Sequence, residues 1–166
     1  MCDNGAPALF KDHERPVIEV ALYQPEIAQN TAAILRTAAC FDAAVHIIGP
    51  ASFDLSDRAV RRAGMDYVDA ARIKRHHSFE AFAAAATGRI VLLTTRGPTT
   101  LNGFAFRQSD ILLYGQESSG VPDSIHAAAD ARLSIPMAKG ARSLNLAVAV
   151  AVGLWQACIS TNRFPG

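Results

Sequence analysis

The sequence predicts an α/β domain in which a mainly parallel sheet is covered by helices on both faces. Short strands with few polar residues alternate along the chain with segments of helical periodicity, and glycine or proline follows most of these strands. Such apolar strands are typical of parallel sheets, because both faces of the sheet are buried. The chain has 166 residues, which is enough for one domain with its own core. Its residues are 50% hydrophobic and 19% charged, a composition that excludes a disordered protein.

The first half of the chain supplies the first strands and the first helix. Residues 1–16 are polar and form a predicted extension ahead of a single domain at 17–166. The run VIEVALY stops before a proline and predicts a strand, whereas AAILRTAACF has its apolar residues at helical spacing. The predicted elements are a strand at 17–23, a helix at 32–41, a strand at 45–49, a short arginine-rich helix at 56–64 and a marginal strand at 67–73.

The second half repeats this alternation and ends in a long apolar helix. Ser78 is a favourable N-cap for an alanine-rich segment, and Pro122 stands at a favourable first-turn position of a later helix. LNLAVAVAVGLWQACI is apolar around nearly its whole circumference, so both of its sides need burial. The predicted elements are helices at 79–86, from 122 onward and at 144–161, and strands at 89–95, 111–115 and 132–136.

The composition excludes several classes of protein. Sixteen lysines and arginines against fifteen acidic residues give a net charge of +1, so the chain has no wholly basic coat. Charged residues or histidine interrupt every apolar run before the ~18 residues that a membrane span needs. The N-terminus has no apolar signal region, so we expect a cytoplasmic protein. The cysteines Cys2, Cys40 and Cys158 are predicted to be a tail thiol and two small buried apolar residues.

Three loops after predicted strands have the composition of a ligand site, since ligands bind beyond the carboxyl ends of parallel strands. They are the loops at 24–30, 115–120 and 135–145. Asn30 and Ser143 are also residue types that cap helices, and the glycines of the second loop also occur in ordinary tight turns. Arg36 must reach water or meet an anion, because burying an unpaired guanidinium is costly. GxGxxG and GxxxxGK[ST] are absent, and no cluster has metal-ligand spacing.

A basic stretch lies between residues 58 and 77. It holds six arginines and lysines against two aspartates, a local charge of +4, with one tyrosine and two histidines alongside. Arginine clustered with aromatic groups is typical of phosphate contact and base stacking, and a solvated helix face is the alternative. His76 and His77 are adjacent and so point apart, which predicts two surface residues.

With these motifs the chain resembles the SPOUT superfamily of S-adenosylmethionine-dependent RNA methyltransferases, and within it the TrmL family of tRNA (cytidine/uridine-34-2'-O)-methyltransferases. The similarity covers roughly 17–160. It rests on YQPEIAQNT with ILR at 23–36, GQESSGVP at 115–122, and IPM with SLNL at 135–146, in the family's order and spacing. RRAGMDY at 61–67 and RHH at 75–77 match further family motifs. The chain departs from the family pattern at Ala32, Gln116, Ser119, Ala147 and Val148.

The resemblance implies a C-terminal trefoil knot whose loops hold S-adenosylmethionine, and no metal. Carried across residue by residue, the implied cofactor contacts are Leu93, Gly115, Ile135 and Ser143. The implied catalytic residues are Arg36, Asn30, Glu117, Ser143 and Asn145. The implied RNA-binding residues are Arg61, Arg62, Arg75 and His76.

The implied reaction is in-line attack of the ribose 2'-hydroxyl of the wobble nucleotide on the cofactor's methyl group. Arg36 is expected to clamp a tRNA phosphate and stabilise the developing alkoxide, and a deprotonated Arg36 acting as general base is the alternative. Asn30 would orient Arg36 or the ribose, while Ser143 and Asn145 would fix the knot loop. Glu117 would share the orienting role or cap the helix that follows it.

The resemblance also implies partners, namely the anticodon stem-loop of tRNA and a second copy of the chain. Larger relatives carry added RNA-binding segments, so a small domain must gather its RNA surface from a homodimer. The apolar last helix supports a dimer, and Trp155 filling the core is the alternative. Methylation of another tRNA position or of rRNA, and a non-catalytic cofactor- and RNA-binding protein, remain the rival functions.

Overall fold

A seven-stranded sheet is the centre of the computed structural model, which describes residues 18–53 and 72–164. The strands are β1 (Glu19–Tyr23), β2 (Ala44–Ile48), β3 (Ile73–His76), β4 (Ile90–Leu93), β5 (Thr99–Thr100), β6 (Ile111–Tyr114) and β7 (Ala131–Ser134). The described helices are α1 (Ala28–Cys40), α2 (Phe79–Ala85), α3 (Asp123–Ala128) and α4 (Leu146–Thr161). Every pairing between these strands is parallel, which confirms the predicted fold class.

The strand order is β3-β2-β1-β6-β4-β7-β5. β2, β4 and β6 are buried at every position, as the apolar strands of a covered parallel sheet must be. Because all pairings are parallel, the seven strands end at one edge, which we call the carboxyl edge. The loops that carry the sequence motifs leave the sheet at this edge.

Helices cover both faces of the sheet, as predicted. α1 and α4 pack against each other over a core that includes Val20, Leu22 and Leu112. α2 and α3 cover the opposite face, where Phe82 and Ile125 pack against the other set of strand side chains. Ala32, one of the departures from the family pattern, is fully buried in the first core.

Some local features differ from the predictions. β3 begins at Ile73, where the predicted strand was to end, and the short β5 with the 3-10 turn at Leu101–Gly103 carries no periodicity that could have predicted it. Cys158 is buried as predicted, but Cys40 is exposed because it lies on the solvent side of α1. Trp155 is 52% exposed, so the alternative that it fills the core is wrong. The predicted extension at 1–16, the predicted helix at 56–64 and most of the strand at 67–73 lie outside the described residues.

α4 rests on the ring of Tyr114 at the position of Gly153. Tyr114 is 2% exposed, and burial raises the pKa of its hydroxyl above the usual range. A methyl group at Gly153 would lie 2.1 Å from the Tyr114 hydroxyl oxygen, well inside van der Waals contact. Glycine is therefore required at 153 by the close approach of the helix to the sheet.

Gly153→Ala is expected to destabilise the protein by about 1–3 kcal/mol, because the new methyl overpacks the core against the Tyr114 hydroxyl. Tyr114→Phe removes that oxygen. Gly153→Ala should therefore cost much less stability in the Tyr114→Phe background than in the wild type. Gly103→Ala is the matched control, since its methyl would meet only the Thr100 hydroxyl at 3.8 Å. Urea unfolding of the wild type and the four variants measures the effect, and additive losses in the double variant would contradict this contact.

Candidate functional site

An open cavity of about 620 Å³ lies at the carboxyl edge of the sheet. Its volume falls within the roughly 300–1,000 Å³ of small-molecule sites. The start of α1, the residues after β4, β6 and β7, and the segment before α4 form its walls. Seven of the residues implied for cofactor binding or catalysis line it: Asn30, Leu93, Gly115, Glu117, Ile135, Ser143 and Asn145.

One wall of the cavity depends on the close approach of two glycines. The backbones of Gln116 and Gly120 exchange two hydrogen bonds of 2.9 and 3.0 Å in a tight loop after β6. A methyl group at Gly115 would lie 2.4 Å from the carbonyl carbon of Gly120, so only glycine fits there. Gly120 has φ +69°, in the left-handed region that glycine adopts without strain. The loop thus presents backbone to the cavity at 115, where a side chain cannot fit.

Glu117 ties this loop to the start of α1. One carboxylate oxygen accepts a hydrogen bond from the Glu26 backbone N–H at 3.0 Å, and the other accepts from the Ile27 backbone N–H at 3.3 Å. Ile27 is the N-cap of α1 and has no side chain that could cap the helix. The carboxylate of Glu117 satisfies backbone groups that the start of this helix leaves unpaired. The alternative that Glu117 caps the helix after it is therefore wrong, because Glu117 binds the start of α1 and no side chain caps α3.

Asn30 and Asn145 continue the connection to α4. The Asn30 amide nitrogen donates to Glu117 at 3.3 Å, and its oxygen accepts from the Asn145 amide nitrogen at 3.0 Å. The Asn145 oxygen accepts from the backbone N–H groups of Ala147 and Val148 at 2.9 and 3.3 Å. Asn145 is thus the N-cap of α4, so the alternative that Ser143 caps this helix is wrong, and so is the alternative that Asn30 caps α1.

A second carboxylate reinforces the same junction. Glu26 accepts from the backbone N–H and the hydroxyl of Ser118 at 2.8 and 2.7 Å. These hydrogen bonds hold the pKa of the Glu26 carboxyl below its usual value. Gln116 donates to Gln24 at 3.2 Å and accepts from the Ser119 hydroxyl. Two of the departures from the family pattern therefore take part in one hydrogen-bonded junction between the first two motif loops.

The remaining predicted residues lie outside the cavity lining. Arg36 is exposed on α1, six residues beyond Asn30 and roughly 9 Å farther along the helix. Arg75 is exposed on β3. Arg61 and Arg62 lie outside the described residues. His76 is half-buried at the end of β3, so it is only in part the surface residue that was predicted, whereas His77 is exposed.

His76 belongs to a polar cluster that the sequence analysis missed. Nδ1 of His46 lies 2.8 Å from Nε2 of His76, and Nε2 of His46 lies 2.7 Å from a carboxylate oxygen of Glu19. His46 is 2% exposed within an otherwise apolar strand. A lone histidine in VHIIG and a lone glutamate in VIEVALY were the available signals, because polar residues on covered faces need partners.

A buried histidine in the wall of the cavity was also missed. His126 is 8% exposed on α3, and burial, with Arg96 and Arg132 nearby, lowers its pKa. It separates the cavity from a smaller one of about 260 Å³ that Arg96, Asp123 and Arg132 line. Among the described residues, no three His, Cys, Asp or Glu side chains are arranged to hold a metal, and no helix has the length and apolarity to cross a membrane.

Comparison with known proteins gives consistent matches. The model of the SpoU rRNA methylase family matches residues 17–155. A tRNA (cytidine(34)-2'-O)-methyltransferase of Ancylobacter novellus is 48% identical over 150 residues, which cover 89% of this chain and 95% of that protein. A protein of the same name from Beijerinckia indica is 52% identical over 141 residues, 83% of this chain and 88% of the relative.

Solved structures agree with these sequence relatives. One described as giving structural insights into the 2-OH methylation of C/U34 on tRNA superposes with a TM-score of 0.84 at 40% identity, over 87% of this chain and 95% of the other. The SpoU methyltransferase AviRb of Streptomyces viridochromogenes, in complex with the cofactor AdoMet, superposes with a TM-score of 0.76 at 28% identity, over 86% and 59% of the two chains.

The two roles of Asn145 can be separated by substitution. Asn145→Ala loses both the cap and the bond to Asn30, so it should destabilise the protein by about 0.5–2 kcal/mol. Asn145→Asp keeps the capping oxygen and adds a negative charge that a helix N-terminus favours, so its loss should be smaller. Urea unfolding, with hydrogen exchange at the Ala147 and Val148 amides, measures the difference. Equal losses in both variants would show that the cap contributes nothing measurable.

Proposed function

The chain belongs to the SpoU rRNA methylase family, and we propose that it transfers a methyl group from S-adenosylmethionine to the ribose 2'-hydroxyl of nucleotide 34, cytidine or uridine, of tRNA. One observation supports this function above all. The chain is 48% and 52% identical over most of its length to two tRNA (cytidine(34)-2'-O)-methyltransferases, and its three motif loops meet around a cavity of suitable size. We further infer a single domain over 17–166 with a C-terminal trefoil knot, working in the cytoplasm.

The cavity fits the proposed cofactor in size and in the chemistry of its walls. Three neighbouring strands end at the cavity: β4 ends at Leu93, β6 just before Gly115, and β7 just before Ile135. Backbone groups at these strand ends can hydrogen-bond the edge of a purine. Leu93 and Ile135 supply apolar surface for its faces, and a side chain at Gly115 would collide with Gly120. When bound, S-adenosylmethionine supplies an electrophilic methyl group.

The chain's own contribution is to hold the reacting groups in line. Glu117, Asn30 and Asn145 form a continuous hydrogen-bonded chain along one wall of the cavity. Such fixed geometry favours a displacement reaction, because alignment of the attacking oxygen is part of the barrier. Both oxygens of Glu117 already accept hydrogen bonds, so we assign it a positioning role. Ser143 is exposed in the cavity wall and is free of the capping role, so its hydroxyl is available to the cofactor or the ribose.

Arg36 is assigned to the substrate phosphate. It is exposed on α1 and lies outside the lining of the cavity, so it is placed to meet the RNA backbone more readily than the reacting oxygen. A guanidinium binds a phosphate through two parallel hydrogen bonds and is a poor proton acceptor. The phosphate clamp is therefore favoured over a deprotonated Arg36 acting as general base. The described side-chain hydrogen bonds of Asn30 go to Glu117 and Asn145, so these bonds do not orient Arg36.

The proposed homodimer rests on an apolar face. Within 18–53 and 72–164, all the exposed large hydrophobic side chains belong to α4 or to the segments flanking α1 and α4: Ile27, Leu144, Val148, Trp155, Ile159 and Phe164. Trp155 stands in the middle, with its ring centroid 6.4 Å from that of Phe41 and 5.4 Å from that of Phe164. A patch of this kind on a small domain favours association, and aromatic residues are enriched in interfaces.

The proposed function is tested by methyl transfer. The protein is incubated with labelled S-adenosylmethionine and tRNA from cells lacking the modification, and the nucleosides are analysed. Label in 2'-O-methylcytidine or 2'-O-methyluridine at position 34 is expected. Label at another tRNA position or in rRNA would keep the chemistry and move the target, and no transfer by a protein that binds the cofactor would favour a binding-only protein.

In the same assay, Arg36→Ala is expected to reduce transfer by roughly a hundredfold or more while cofactor affinity stays within about twofold, because the residue lies outside the cavity lining. Arg107→Ala is the matched control, since it removes an exposed arginine just before β6, at the opposite edge of the sheet. Equal losses of transfer and cofactor binding in Arg36→Ala would make Arg36 a structural residue.

Trp155→Glu is expected to shift the protein from dimer to monomer, because a charge in the centre of the apolar face cannot be buried against a second copy. Light scattering coupled to size-exclusion chromatography measures the molar mass. Ala84→Glu, on the exposed side of α2 and on the other face of the sheet, is the matched control and should remain dimeric. A wild-type protein that is monomeric at micromolar concentration would contradict the dimer.

A further inference from the structure

We propose that Glu19 and His46 position His76 as a hydrogen-bond acceptor for an O–H or N–H group of the bound RNA, at the carboxyl edge of the sheet. This inference rests on the proposed RNA substrate and adds the chemistry by which one part of the protein recognises it. Glu19 and His46 act through His76, so they are positioning residues, whereas His76 is the group that touches RNA.

The three side chains form a relay across one face of the sheet. The parallel register places His46 opposite Ala21 and His76 opposite Ile48, so the relay runs diagonally from the start of β1 to the end of β3. The two imidazole planes differ by 11°, and their centroids are 5.0 Å apart. With ring nitrogens only 2.8 Å apart, these values place the rings side by side, close to one plane, with an in-plane hydrogen bond between them.

The packing around the relay holds this arrangement. Phe82 presents its ring nearly perpendicular to both imidazoles, with centroid distances of 5.2 and 5.4 Å. The second oxygen of Glu19 accepts from the Lys74 ammonium at 2.8 Å. Burial alone would raise the pKa of Glu19, but the hydrogen bonds from His46 and Lys74 outweigh it and lower the pKa to about 2. The carboxylate is therefore ionised at every physiological pH.

When both rings are neutral, an ionised Glu19 fixes the proton positions of both histidines. A carboxylate only accepts hydrogen bonds, so Nε2 of His46 must carry a proton. With His46 neutral, its Nδ1 has no proton and must accept, so Nε2 of His76 must be the donor. With His76 neutral, its Nδ1 is then bare. In this protonation state the relay makes the outer nitrogen of His76 an acceptor, which a solitary histidine would not guarantee.

The outer nitrogen of His76 stands where RNA is expected. His76 is half-buried at the carboxyl edge, and within the described residues its Nδ1 has no hydrogen-bond partner. Arg75 and His77 on either side are exposed, and β3 is the edge strand of the sheet. Such a basic strand attracts phosphate, and a bare ring nitrogen beside it can receive a ribose 2'-hydroxyl or a base N–H.

The surroundings of His76 favour its neutral form. Burial and the Lys74 ammonium lower the pKa of His76, against the opposing pull of Glu19. Addition of one proton to the relay would convert Nδ1 into a donor wherever that proton settles. Glu19, His46 and His76 are not arranged to hold a metal ion, and neither is any other group of His, Cys, Asp or Glu among the described residues. Both nitrogens of His46 and the Nε2 of His76 are engaged in hydrogen bonds within the relay.

The proton positions are tested directly by NMR of protein labelled with ¹⁵N in histidine, at pH 7.5 and without RNA. We expect His46 and His76 to be neutral, each with its proton on Nε2, and Glu19→Gln to populate the other tautomer. Glu80→Gln is the matched control, because it removes the same charge from the exposed first turn of α2, outside the relay. A His76 with its proton on Nδ1, or charged at this pH, would overturn the proposal.

The recognition step is tested by the affinity for a tRNA anticodon stem-loop. His76→Ala and Glu19→Gln are each expected to weaken binding about three- to tenfold, as loss of one hydrogen bond does, with unchanged affinity for S-adenosylmethionine. Glu19→Gln should have no further effect in the His76→Ala background, because it acts through that ring. Unchanged RNA affinity in His76→Ala, or additive losses in the double variant, would overturn the relay's role.

The donor on the RNA is identified with stem-loops that carry single 2'-deoxynucleotides. A deoxy substitution that weakens the wild type but not His76→Ala assigns the donor to that ribose, and the absence of such a position assigns it to a base N–H. A wild-type protein that binds no tRNA at all would overturn the proposed function as well. One that binds and methylates tRNA while His76→Ala binds equally well overturns the relay alone.

Discussion

The carboxylate of Glu117 is the contact on which the geometry of the cavity depends. It accepts from the backbone at the start of α1 and from Asn30, which in turn bonds the residue that caps α4. These partners come from segments 87 to 115 residues apart. α1 could not begin where it does by local means alone, because its N-cap residue Ile27 has no capping side chain. The shape of the cavity therefore depends on hydrogen bonds that join the starts of α1 and α4 to the loop of Glu117.

Much of this arrangement could be predicted from the sequence, and the reasons are specific. Strands β2 and β6 are buried at every position and almost wholly apolar, so their type could be predicted. The motif loops had to meet where parallel strands end. The choice between Ser143 and Asn145 as the cap of α4 was beyond sequence reasoning. Both residue types cap helices, and the sequence does not show that α4 begins at Leu146 or that Asn145 also bonds Asn30 on another element.

The polar relay was missed for a different physical reason. Glu19 and His46 are single polar residues in strands that otherwise look buried. The sequence of either strand does not show which side chain its polar residue will contact. Only the register of three adjacent strands brings Glu19, His46 and His76 together. Pairings of this kind depend on which strands become neighbours, and strand order is not written in local periodicity.

The bond between Asn30 and Asn145 also has a consequence for biosynthesis. Asn30 leaves the ribosome 115 residues before the amide that completes its hydrogen-bonding. Until then the first loop is joined to Glu117 but not to α4, whose first turn does not yet exist. The nascent chain can therefore fold much of its sheet while the wall of the site is still missing. The wall of the site would be completed only after the start of α4 has left the ribosome.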